Sequence, residues 1–505
     1  MKIFTKYKWY WLAGLGIVFL YFFTRIYHLL TLPIFTDEAI YIRWSQIAAN
    51  DANWRFISLT DGKQPMYVWI AMLFIKILHD PLLAGRLVSV LSGFISMIGM
   101  FFLGREVFKN TKIGLLTSFV YVLFPFALVY DKLAVYDSLV AMFMIWALYC
   151  TILLVRYVRL DLGMILGMVI GGGMITKSSA DFGYILLPFS LLLFPFKKNY
   201  DKKRMLHFII FALVSVIIAN AIYAILRLSP FYYIIGQKNL TFIYSFNDWI
   251  FQPFAFFIGN MKGLGGWFID YMTAPFLVLA AASFFVDKKF FREKLLLFIW
   301  FIFPFMALAF FGKVIYPRFI LFMTMPIIVL GTYTLFSLMQ KIKQFGLQLL
   351  FFIVFLSMFL VNDYYLLTDF AKASIPQSDK EQLINGWPAG EGVTQTVSFL
   401  QKQAQQGKVY VGTEGTFGLM PYALEMYLDK NPHIAIQGFW PINSTPPKEI
   451  LDASKKMATY VVFYQDCPSC QAIGKAPSTW PVTPVFQLTK FDQNTYYTLY
   501  KVNPQ

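Results

Sequence analysis

Two adjacent carboxylates, Asp37 and Glu38, stand in the segment TDEAIYIRWSQIA. Thr36 can cap a helix there, with both acids in its first turn, where the helix dipole favours the ionised form. An ionised carboxylate can take a proton from a hydroxyl or amine, or bind a divalent metal. Both acids can equally be ordinary helix-start residues, and a metal requirement stays open. Further on, Lys63 precedes Pro65 in DGKQPMYVW. A cation at headgroup depth can meet a lipid phosphate, or simply extend its ammonium out of an apolar layer. Asp137 follows Tyr136 in KLAVYDSLVAMF, at the end of an apolar run where an acid needs a partner. Asp131, nearby, can pair with Lys132. Thr176-Lys177-Ser178 and Lys313 with Tyr316-Pro317-Arg318 supply further cations between apolar runs. Carboxylates and cations at one depth suit a site that holds a lipid-linked phosphate and does base chemistry beside it.

The elements that must position these residues are membrane helices. Of 505 residues, 58% are hydrophobic and 14% charged. A soluble chain is about half apolar and about a quarter charged, so a soluble enzyme and a disordered chain are both excluded. The 55 Phe suit packing against lipid. Crossing a bilayer takes about 20 apolar helical residues. Eleven such segments fall near 9–27, 85–103, 113–130, 138–155, 162–176, 181–196, 205–227, 271–286, 295–311, 318–338 and 346–366. The run at 66–79 is short and contains Lys76, so it reads as a helix lying in the interface. The helix after Asp37 should lie there too, on Ile40, Trp44, Ile47 and Ala48.

Charge sets the orientation. The tail from 367 balances 11 Lys against 11 acids, so the whole excess of +16 lies in the first 366 residues. It sits in short clusters: Lys2, Lys6 and Lys8; Arg105, Lys109 and Lys112; Arg156 and Arg159; Lys197, Lys198, Lys202, Lys203 and Arg204; Lys288, Lys289, Arg292 and Lys294; Lys341 and Lys343. With eleven spans, all six fall on one side, which the positive-inside rule makes cytoplasmic. Clustering between apolar runs rules out a nucleic-acid partner. The N-terminus is then cytoplasmic and the tail outside, with outer loops near 28–84 and 228–270.

Two domains follow: residues 1–366 in the membrane and 367–505 as a small extracytoplasmic α/β domain. In the latter, VTQTVSFLQKQAQQG reads as an amphipathic helix ending at Gly407, and VYVGT, TYVVFY and YYTLYKV as strands. Asn239-Leu-Thr and Asn443-Ser-Thr are glycosylation sequons of little weight. Cys150 reads as a core residue. Cys467 and Cys470 form a lone CxxC that suits a disulfide if the tail is outside, and lacks the further ligands zinc would need. The first apolar run lacks a signal-peptide cleavage site. No internal repeat of the transporter kind is visible.

TDEAIYIRWSQIA, GKQPMYVWI, AGRLVSVLSG, AVYDSLVAMF, MITKSSADFGYILLP and YPRFILFMTMP, in this order, resemble glycosyltransferase family 39. That family holds dolichyl-phosphate-mannose–protein mannosyltransferases and bacterial lipid A aminoarabinose transferases. The resemblance runs from about 30 to 340, and the tail is similar to the outer domain of bacterial relatives. It implies GT-C architecture and an inverting transferase that moves a sugar from a polyprenyl-phosphate donor to an extracytoplasmic protein, lipid or polysaccharide. It also implies site roles. Asp37, with Glu38 beside it, matches the catalytic acid, and Asp137 the second acidic position. Lys63 matches the lysine that meets the donor phosphate, while Lys177 and Arg318 match further basic positions, with Tyr316 beside Arg318. Gly62 departs from the lipid A enzymes, which carry a metal-binding carboxylate there, so a zinc site is not expected. His28, His79, His207 and His433 form no spaced cluster and read as structural. The competing class is a lipid or solute transporter or flippase. It calls for mid-span charges and repeated halves, whereas the notable charges here cluster at the outer ends.

Overall fold

An apolar run in lipid must close its backbone hydrogen bonds internally, which selects helix. The computed structural model describes residues 8–196, 202–490 and 493–504. Lys2, Lys6, Lys197 and Lys198 of the basic clusters lie outside the described residues. Among those described, seven helices are long and apolar enough to cross a bilayer: Lys8–Ile26, Pro81–Phe108, Tyr136–Tyr157, Lys202–Leu228, Phe291–Phe311, Pro317–Met339 and Phe345–Thr368. Phe257–Met272 and Ala274–Val286 make an eighth if counted as one span, bent by 98° between them. The remaining expected spans are helical but short or broken. Thr111–Val122 stops before Pro125–Tyr130, and Leu160–Met174 has 15 residues. The run from Ser178 to Leu193 alternates 3-10 and α turns, with Pro188 removing a donor. The eleven segments are thus all helical in part, but length alone supports seven or eight crossings. The run at 66–79 forms only the ten-residue helix Met66–Ile75.

Burial separates rim from centre. In the most apolar 18-residue stretch of Pro317–Met339, 89% of residues are buried, against 22% in that of Lys8–Ile26 and 17% in those of Lys202–Leu228 and Phe345–Thr368. Exposed apolar residues such as Phe19, Leu213 and Leu350 therefore meet lipid. Leu160–Met174 packs on Lys202–Tyr223 through Gly163, Gly167 and Gly171, one turn apart. A Cβ at Gly163 or Gly167 would come within 2.7 Å of the Phe211 or Ser215 carbonyl oxygen. Small residues at this spacing let membrane helices touch backbone to backbone.

The chain forms two compact units. The first comprises the chain to residue 27, with 56–67 and 88–376; the second comprises 28–55, 68–87 and the chain from 377. The second holds a five-stranded sheet of β1 (Val409–Glu414), β2 (Ile434–Phe439), β3 (Ala458–Phe463), β4 (Val482–Thr489) and β5 (Tyr496–Val502), in the order β2-β1-β3-β5-β4. β1 pairs in parallel with β2 and β3, and β5 pairs antiparallel with β3 and β4. The three strands read from sequence are the inner ones. Helix Val393–Ala404 forms where the amphipathic pattern put it. Cys467 and Cys470 are disulfide-bonded, and Cys150 is a buried free thiol.

Helix Thr36–Asn50 packs in this unit against Leu419–Leu428. Its expected lipid-facing stripe is buried there instead: Trp44 is 1% exposed and Ala48 0%. Polar partners fix the docking. Arg43 reaches Glu425 at 2.8 Å and Asp429 at 2.9 Å, and Gln46 donates to the Met426 carbonyl at 2.8 Å.

Candidate functional site

In the second unit the site begins at a helix start. Thr36 is the first helical residue, not the cap; its hydroxyl donates to the Pro388 carbonyl at 3.0 Å. The cap interaction comes from Glu38, whose Oε2 accepts the Phe35 N–H at 2.9 Å. Arg86 forks onto the same carboxylate, Nε to Oε1 and Nη2 to Oε2, both at 2.8 Å. It also donates to the carbonyls of Leu29, Leu32 and Pro33. Glu38 and Arg86 are both 0% exposed. Asp37 is only half-buried and accepts the Tyr41 hydroxyl at 3.3 Å. Exposure thus separates the two acids: Asp37 reaches the surface, and Glu38 is committed to holding the chain.

In the first unit, Lys63 follows Gly62, which caps the turn Ile57–Asp61 at φ +66°. A Cβ at Gly62 would lie 2.5 Å from the Lys238 Cβ and 2.8 Å from the Ile234 carbonyl oxygen. The carboxylate that lipid A enzymes carry here therefore has no room. Asp61, one residue earlier, pairs with Lys238 at 2.6 Å. The Lys63 ammonium sits 5.0 Å from the centre of the Phe242 ring.

Asp137, in the first turn of Tyr136–Tyr157, is nearly buried and meets the Lys177 ammonium at 2.7 Å. Lys177 lies 4.6 Å over the Phe319 ring, and Phe319 meets Phe242 edge to face at 5.9 Å. Arg318 stacks 5.2 Å over Tyr316, whose ring meets Phe319 at 5.7 Å. The structure thus brings Lys63, Lys177, Asp137, Tyr316 and Arg318 around the Phe242–Phe319 pair. Short pairing of 242–244 with 311–314 holds the two loops together, with Tyr244 N–H to Phe311 O at 2.8 Å and Lys313 N–H to Phe242 O at 2.8 Å. Lys63, Lys177 and Arg318 on ring faces, with Asp137 bonded to Lys177, form a cluster of cations of the kind that suits an anionic group.

Sequence reading missed three features here. Asp131 does not pair with Lys132, which donates to the Tyr27 carbonyl at 2.7 Å. Asp131 instead meets buried Arg25 at 3.4 Å, and accepts the Ser138 hydroxyl at 2.8 Å and the Tyr121 hydroxyl at 3.2 Å. This ties the start of the Asp137 helix to the first span. Arg25, an ion inside an apolar run, was the signal. The second feature is Gln64, which donates to Ser178 at 2.7 Å, with Asn239 joining at 3.2 Å. The amide of the first sequon is engaged there. The third is Arg86, which its motif AGRLVSVLSG carried unremarked. Among the described residues, no group of three His, Cys, Asp or Glu with ligand atoms near enough to share an ion includes Asp37, Glu38 or Asp137.

Residues 62–225 match the family described as dolichyl-phosphate-mannose-protein mannosyltransferase. No curated protein matches the chain in sequence. Among solved structures, ArnT from Cupriavidus metallidurans, apo and bound to undecaprenyl phosphate, is 14% identical, with 99% of this chain and 100% of that chain covered and a TM-score of 0.58. The apo oligosaccharyltransferase of Archaeoglobus fulgidus is 13% identical, with 92% of this chain and 70% of that chain covered and a TM-score of 0.53. The chain has the GT-C fold: a multi-pass helical membrane protein with a small C-terminal sheet domain.

Proposed function

We propose that this chain of GT-C fold is a glycosyltransferase of the family-39 kind, moving a sugar from a polyprenyl-phosphate donor to an extracytoplasmic acceptor. The observation that carries this reading is the convergence of Lys63, Lys177 and Arg318 on the Phe242–Phe319 pair. As the bond from the anomeric carbon to the phosphate oxygen breaks, negative charge grows on the phosphate. Lys63, Lys177 and Arg318 stabilise it, with Tyr316 offering a hydroxyl. Asp137 holds the Lys177 ammonium by a charge-assisted bond, which orients it. Asp37 accepts the acceptor's proton as the new glycosidic bond forms from the opposite face. Glu38, with both oxygens engaged, fixes the helix start that carries Asp37. Any metal at this helix start would fall to Asp37 without Glu38. ArnT was solved with undecaprenyl phosphate, which supports a lipid phosphate as the donor's leaving group.

The purified protein should transfer sugar from a defined polyprenyl-phosphate sugar. Lys63→Ala should raise the donor KM by about tenfold or more, through loss of a charge-assisted contact. A donor KM equal to the parent's would reduce Lys63 to an interfacial cation. A flippase would move the lipid across vesicles and form no glycosylated product.

On the eleven-span count, the basic clusters support a cytoplasmic N-terminus and residues 367–505 outside. A cysteine introduced at the exposed position Lys455→Cys should react with an impermeant maleimide in intact cells. Protection until lysis overturns this orientation.

A further inference from the structure

β1 ends at Glu414 and β3 at Phe463, in neighbouring parallel strands. Past Phe463 the chain runs through Tyr464, Gln465 and Asp466 into the bonded pair Cys467–Cys470. The Glu414 carboxylate, 0% exposed, holds the start of this turn. Its Oε2 accepts the N–H of Tyr464 at 2.8 Å and of Gln465 at 2.9 Å. Its Oε1 faces the Cys470 sulfur at 3.9 Å. Among the described residues, no N–H or hydroxyl reaches that oxygen.

This arrangement is not neutral toward redox state. A sulfur in a disulfide carries no proton, so the oxidised pair leaves a buried carboxylate oxygen without a donor. A Cys470 thiol would supply one. Burial, with the negative charge of Asp466 added, pushes the Glu414 carboxyl up to about 7. Such a group exchanges its proton near neutrality and can hand it to a departing thiolate. The two sulfurs also differ in access. Cys467 is 4% exposed among Phe463, Ile450 and Trp480, whereas Cys470 is partly exposed. An outside thiolate can therefore reach Cys470 first.

We propose that Cys467–Cys470 is a thiol–disulfide exchange site, reduced by an external dithiol and reoxidised by an external disulfide, with Glu414 carrying the proton of Cys470. In reduction, one thiolate of the dithiol attacks the Cys470 sulfur. The Cys467–Cys470 bond breaks, and Cys467 leaves as a thiolate that is protonated from solvent. The second thiolate of the reductant then attacks its own half of the mixed disulfide. Cys470 leaves and takes the Glu414 proton, which solvent replaces. The dithiol loses two electrons and two protons and becomes a disulfide, while the cysteine pair gains both. The chemistry is separate from sugar transfer and does not rest on that reading.

The test uses the full-length folded protein. Free thiols are counted by maleimide mass shift after timed exposure to dithiothreitol, then to glutathione disulfide. The native parent should gain two thiols beyond buried Cys150 and lose them again on reoxidation. Glu414→Gln should slow reduction at neutral pH by about tenfold or more with its circular dichroism unchanged. Cys467→Ser should trap a mixed disulfide with glutathione on Cys470, and this holds even if the Glu414 variant fails to fold. Reduction only after denaturation would overturn the proposal. So would parental rates in a folded Glu414→Gln, or a reduced pair that takes up one equivalent of added zinc and no longer reoxidises.

Discussion

Asp37→Asn should lower sugar-transfer turnover by about 10²- to 10⁴-fold, the range that loss of a general base produces. The change keeps the size of the side chain, and its amide oxygen still accepts the Tyr41 hydroxyl. What it removes is the capacity to take a proton at neutral pH. The fold should survive, because Asp37 is partly exposed and Glu38, not Asp37, makes the cap interaction. The expected kinetic signature is a drop in kcat with little change in donor KM, whereas Lys63→Ala should raise the donor KM as well as lower kcat. The measurement is single-turnover transfer by folded, monodisperse variants from a defined polyprenyl-phosphate donor. A near-parental Asp37→Asn beside an inactive Asp137→Asn would move the base to Asp137. If both variants turned over like the parent, the transferase proposal would lose its chemical basis.

The helical segments were legible because apolar length is a one-dimensional property of sequence. Their breaks were not. Pro125 within 113–130 and Pro188 within the run from Ser178 to Leu193 marked candidate breaks, but membrane helices tolerate proline, so the sequence could not decide between a kinked span and a broken one. The glycines at 163, 167 and 171 carry a packing signal that only their partner helix explains. In the sheet domain the inner strands β1, β3 and β5 were readable from their β-branched and aromatic runs. Edge strands β2 and β4 were not, being partly exposed, with Pro484 beside an irregularity in β4. At the candidate site, residue types were legible and pairings were not. Asp131 sits next to Lys132 in sequence, yet its partner Arg25 is 106 positions away. The stripe on Ile40, Trp44 and Ala48 showed that one helix face must be buried. It could not show that the cover is Leu419–Leu428 rather than lipid, since periodicity reports burial and not the identity of the neighbour.

Arg86→Met should destabilise the second unit by about 3–5 kcal/mol, because it leaves the Glu38 carboxylate buried and uncompensated. Glu38→Gln should have the same sign through the opposite defect, an unpaired buried guanidinium. Its effect should be smaller, since the amide oxygen can still accept the Phe35 N–H and the carbonyls of Leu29, Leu32 and Pro33 still hold Arg86. Replacing both residues with Met removes both charges, so the double variant should be more stable than the sum of the single effects implies. It should not return to the parent, because the Phe35 N–H and the three carbonyls would lose their partners. The coupling is read from unfolding of purified Glu38→Met, Arg86→Met and the double Met variant in one detergent, assembled as a double-mutant cycle. Arg86→Met within about 1 kcal/mol of the parent would show the pair to be as weak as an exposed ion pair. Additive single effects would show that Glu38 and Arg86 act independently. Either result would remove Glu38 as the device that fixes the start of the Asp37 helix. It would also reopen the choice between the two acids, since a Glu38 that is not held by Arg86 could itself reach a substrate.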